Sequence, residues 1–107
     1  MAYSNRAYQP SVLELAREGN IRAIAYWLNG QLVPQGVYAS IRPLRSNCLH
    51  ITVEFDRIPE RDRLVRFICH RLCKLNLDFI EGVKISARFT DESQILWQQS
   101  VRLVTSA

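Results

Sequence analysis

VYASIRPLRSNCLHITVEF, residues 37–55, is the stretch that decides the fold. Val37, Ala39 and Ile41 alternate with Tyr38, Ser40 and Arg42. After the turn-like Pro43-Leu44-Arg45-Ser46-Asn47, Leu49, Ile51, Val53 and Phe55 alternate with His50, Thr52 and Glu54. Successive side chains of an extended chain point to opposite faces. A period of two on both sides of a short polar loop therefore predicts a β-hairpin with one dry and one wet face.

Upstream, the pattern changes to that of helices. Ser11 is a suitable cap for a short helix over Val12 to Glu18, which Gly19 ends. Asn20 caps a second helix to about Leu32, in which Ile21, Ile24, Ala25, Leu28 and Leu32 recur every three or four residues. Pro34 and Gly36 then break the helix ahead of the hairpin. Downstream, Asp56 to Pro59 leads into a third helix, with Pro59 in its first turn and Glu60 and Asp62 near its positive end. Leu64, Val65, Ile68, Leu72 and Leu75 form its apolar stripe. In the connector LNLDFIEG, Leu77, Phe79 and Ile80 are expected to close one end of the core. Val83, Ile85, Ala87 and Phe89 alternate with Lys84, Ser86, Arg88 and Thr90 in a third strand. The last segment, 95–104, fits a weak helix through Trp97, Val101 and Val104, or a strand through Trp97, Gln99, Val101 and Leu103. The strand is favoured, because Val-Arg-Leu-Val-Thr has β character and pairs naturally with the third strand.

The order α-α-β-β-α-β-β predicts an α+β fold, a two-layer sandwich with helices on one face of a small, mainly antiparallel sheet. The uncovered face would display Tyr38, Ser40, Arg42, His50, Thr52, Glu54, Lys84, Ser86, Arg88 and Arg102. Residues 1–10 read as a flexible arm, 11–104 as a single domain and 105–107 as a tail. The length of 107 residues suits one domain, and 48% hydrophobic residues argue against disorder. The start MAYSNRAYQP has neither the basic leader nor the apolar core of a signal peptide, and no apolar run reaches the ~20 residues that span a bilayer. Three cysteines, an odd number without a disulfide-like spacing, suit a reducing cytoplasm. A net charge of +4 permits an acidic partner without demanding one.

AREGNIRAIAYWLNGQLVPQGVYASI, followed by CLHITVEF and GVKISARF, resembles a small α+β domain of unknown function that recurs in cyanobacterial proteins. The matching features are Ala23 to Asn29, the Leu-x-Pro-x-Gly turn over Leu32 to Gly36, Cys48-Leu49, Val83 to Ile85 and Trp97. They span about residues 14–104. The family's Val-Lys strand runs into a Gly-Arg-Gln-Thr-Gly type of turn, where this chain has Ala87-Arg88-Phe89-Thr90-Asp91. The resemblance implies fold and lineage and carries over no catalytic residue.

Cys69-His70-Arg71-Leu72-Cys73 is the densest reactive cluster. Zinc needs four ligands converging at about 2.0–2.3 Å. Cys48 and His50 share a strand face, whereas Cys69 flanks a buried helix face, so convergence is not expected. Adjacent residues on a helix point about 100° apart, which keeps Cys69 and His70 from acting as a nucleophile and base pair. Glu54, Asp56, Glu60 and Asp62 gather at a helix start, where the helix dipole accounts for them, and the four glycines form no phosphate loop. The expectation is no enzyme, no metal and no other cofactor, with no membrane and no small-molecule substrate inferred.

Two surface sets remain. Arg63, Arg66, His70 and Lys74 fall within about 80° on the third helix, beside Arg71 and Phe67, as a phosphate-binding set would. Such residues also solvate outer helix faces routinely. Tyr26, Trp27, Tyr38, Arg42, His50 and Arg88 are instead the aromatic and basic residues suited to gripping a protein. The leading expectation is a non-enzymatic protein-interaction or self-association module. The alternative is a small RNA- or DNA-binding regulator that uses the basic helix or the open sheet face.

Overall fold

A computed structural model describes residues 11–103. The arm expected over 1–10, the segment end at Val104 and the tail over 105–107 lie outside the described residues. The chain runs α1 (Val12–Arg17), α2 (Ile21–Leu32), a 3₁₀ turn (Val33–Gln35), β1 (Val37–Arg45), β2 (Cys48–Phe55), α3 (Arg61–Cys73), β3 (Gly82–Phe89) and β4 (Trp97–Arg102). The four strands form one sheet in the order β1-β2-β3-β4. The outer pairs are antiparallel and the central pair, β2 with β3, is parallel. A parallel pair cannot be joined by a tight turn, so α3 supplies the crossover.

Local chemistry accounts for the element ends. Ser11 Oγ accepts from the Glu14 amide at 3.1 Å, and Asn20 Oδ1 accepts from that of Ala23 at 3.0 Å. Between the two helices Gly19 takes φ +90, and the Phe79 ring lies so close that an added Cβ would meet it at 2.4 Å. Only glycine satisfies both conditions. Past the 3₁₀ turn, Gly36 at φ 82 redirects the chain into β1.

The helices cover one sheet face. Ile24, Leu28 and Leu32 of α2 and Leu64, Val65, Ile68 and Leu72 of α3 share a core with Leu49, Ile51, Val53, Val83, Ile85 and Ala87. Phe55 and Phe89, opposite one another on the parallel strands, meet edge to face at 5.7 Å.

The structure amends three expectations and bears out the strand favoured for the last segment. Pro43 belongs to β1 and not to the turn, which shrinks to Ser46-Asn47. An edge strand tolerates proline because its missing N–H faces no neighbour. Pro59 precedes α3 instead of entering its first turn, since the first helical bond runs from the Leu64 amide to the Glu60 carbonyl. Leu77 and Ile80 do close the core, but Phe79 stays 45% exposed because Gly19 receives its ring at the rim. The last segment is a strand, with Trp97, Gln99 and Val101 opposite Ala87, Ile85 and Val83 on the helix-covered side.

Candidate functional site

Strand alternation sends Arg42, His50, Ser86 and Gln98 to the uncovered face, one from each strand. Arg42 faces His50 across β1 and β2, and Ser86 faces Gln98 across β3 and β4. Arg42 Nη2 lies 3.4 Å from His50 Nδ1, His50 Nε2 lies 2.8 Å from Ser86 Oγ, and Gln98 Nε2 donates to the same oxygen at 3.1 Å. A single polar row thus crosses the whole sheet. His50 and Ser86 were expected to be displayed here, yet they are only 9% and 1% exposed. The longer side chains at the row's two ends shield its centre.

Electrostatics holds His50 in the neutral form. Burial, then the positive charges of Arg42 and Lys84, lower its pKa below the usual histidine value. Beside it, Glu54 and Arg88 form a salt bridge from facing positions of β2 and β3. Arg42, His50, Thr52, Ser86, Arg88 and Gln98, with Ser40, Ile41 and Ile95, line a concavity of about 460 Å³. A second hollow of about 470 Å³ lies toward the hairpin end, where Arg45, Lys84 and Arg102 approach Cys48 and Glu81. Gly82 sits between Cys48 and Arg102 in the strand register and leaves a notch there.

Among the partner candidates, Arg42, His50 and Arg88 come together, and Tyr38 shares their face opposite Glu54, 52% exposed. Tyr26 is apart from them on α2, 72% exposed. Trp27 packs against the core, so it anchors the fold. On α3, Arg63, Arg66, His70 and Lys74 are exposed, while Phe67 packs on the core and Arg71 stacks its guanidinium 5.1 Å above the Phe67 ring. The two basic sets therefore occupy different layers and form no common groove.

Ser86 and Gln98 complete the site without having been singled out. Their parity along β3 and β4 was the available signal, but only the pairing register brings them to His50. The three cysteines are free thiols. Burial, followed by its neighbour Cys73, pushes the Cys69 thiol up to about 11, which leaves it a poor nucleophile at neutral pH. Among the described residues no three His, Cys, Asp or Glu side chains converge as metal ligands would. No protein-family model, curated protein or solved structure matches this chain.

Proposed function

We propose that this domain is a binding module that docks a protein partner bearing acidic side chains on its open sheet face. The observation that carries the reading is the hydrogen-bonded row Arg42–His50–Ser86–Gln98. A solvated sheet face has no need of a shielded, preorganised polar centre, whereas a recognition surface gains affinity from groups already fixed in place. Arg42, Arg45, Lys84, Arg88 and Arg102 surround that centre, and Glu54 is engaged with Arg88. Exposed Tyr38, Leu44 and Ile95 supply apolar contact around it. Docking a second copy through this face would set like charges against each other, so the partner is a different protein.

The same cations favour a second reading, nucleic acid. Single-stranded binding leans on aromatic platforms for base stacking. Among the described residues Tyr38 is the one aromatic ring on this face, since Trp97 and Phe89 take the opposite parity. The protein reading is therefore preferred.

A host-extract capture compares bait variants. Tyr38→Ala with Arg102→Glu should lose the protein that wild type retains, with Tyr38→Ala alone costing more than ~1 kcal/mol. Arg66→Ala with Lys74→Ala should keep it. Binding to mixed oligonucleotides that weakens steeply with salt, and is lost with Arg42→Glu and Arg102→Glu, would replace this reading with the second.

A further inference from the structure

The chemistry that the open face grips follows from the direction of its hydrogen bonds, and this inference rests on the binding-module reading above. A guanidinium can only donate, so the His50 Nδ1 beside Arg42 is an acceptor and the ring proton sits on Nε2. Nε2 therefore donates to Ser86 Oγ, which also accepts from Gln98. With both lone pairs taken, Ser86 keeps one O–H, directed away from its two donors. The Gln98 amide has a second proton, and the Arg42 guanidinium has further N–H groups that His50 does not face. The residues lining the roughly 460 Å³ concavity above this row include no carboxylate. Glu54, just outside, is already paired with Arg88. Donors converge here, and the lining holds no carboxylate to receive them.

We propose that the concavity is an oxyanion subsite that takes one carboxylate or phosphate group. Arg42, the Ser86 hydroxyl and the Gln98 amide are its donors. His50 is a positioning residue, because its Nε2–H occupies the Ser86 lone pair and turns the hydroxyl proton outward. Ile41 and Ile95 contribute apolar wall to the same concavity, where water is a poorer competitor for charge-assisted bonds.

The probes are sodium acetate and sodium phosphate, titrated separately into the full chain, with sodium chloride at matched ionic strength as reference. Side-chain and amide NMR signals of Arg42, His50, Ser86 and Gln98 should shift saturably with at least one oxyanion and not with chloride. Arg42→Gln, an exposed change on an edge strand, should weaken binding at least tenfold, and Ser86→Ala should do so where it folds. Arg66→Ala should leave it unchanged. Saturation by acetate alone identifies a carboxylate as the ligand group, and tighter saturation by phosphate identifies a phosphate group. Shifts that merely follow ionic strength, or that survive Arg42→Gln, overturn the proposal. The titration involves no protein partner and alters neither Tyr38 nor Arg102, so its failure is distinct from failure of the docking reading.

Discussion

His50 is a weak base held in a position that rewards its neutral form. Adding a second proton would place an N–H on Nδ1, facing the Arg42 guanidinium, near the charge of Lys84. The unfolded chain has no such obstacle and takes up that proton near the ordinary value of about 6.5. The folded-state pKa is the lower of the two, so the unfolded state binds more protons as pH falls. Stability from this residue is complete above about pH 6.5 and declines as pH drops toward the depressed folded-state value. Melting temperature should therefore fall between pH 7 and 5 in the wild type and change less in His50→Gln. Parallel curves for the two proteins would show that another group sets the acid sensitivity.

Helix α2 holds two neighbouring residues whose substitution should have opposite signs. Asn29 reaches β1, donating from Nδ2 to the Ala39 carbonyl at 2.8 Å and accepting the Ala39 amide at Oδ1 at 2.7 Å. One side chain thereby stands in for a missing strand on that edge. Asn29→Ala leaves both backbone groups of a residue only 1% exposed without a partner, at a cost of about 1–3 kcal/mol. Gly30, next along the helix, is exposed, and an added Cβ would meet nothing within 4 Å. Gly30→Ala removes unfolded-state freedom in a helix interior and should stabilise by about 0.5–1 kcal/mol. Chemical denaturation of both variants checks the pair. A neutral Asn29→Ala would mean that water replaces the clamp without loss.

At the scale of the whole molecule, the described residues leave the open sheet face available for association. The helical layer covers one sheet face. Asn29 and Pro43 blunt the β1 edge. At the β4 edge, Arg61 donates from Nη2 to the Gln98 carbonyl at 3.3 Å and from Nε to Gln99 Oε1 at 3.0 Å, and its guanidinium lies 4.8 Å over the Trp97 ring. Both routes to edge-to-edge strand pairing are thus obstructed, and the remaining face is cationic. The isolated chain should sediment as a monomer at micromolar concentrations, and added salt should slow its association with an acidic partner. A dimer mass that persists in Arg42→Glu would point to a self-contact elsewhere.

Periodicity along the chain was enough to read the helices, the strands and the sides on which they are dry. Ile24, Leu28, Ile68 and Leu72 recur at helical spacing, and Leu49, Ile51 and Val53 alternate, because burial repeats with the geometry of each element. The same alternation put Tyr38, Arg42, His50 and Arg88 on the open face, and that depended on no partner strand. Which residues touch is a different matter. Ser86 lies thirty-six positions beyond His50 and meets it only because β2 and β3 pair in parallel register. Glu54 and Arg88 face each other for the same reason, and the Asn29 clamp depends on how α2 lies along β1. Even Phe79, apolar and expected inside, is turned to the rim by the space that Gly19 leaves. Local sequence determines which way a side chain points, because backbone geometry is local. Only the tertiary structure decides what it meets there, because register and packing bring together residues that are far apart along the chain.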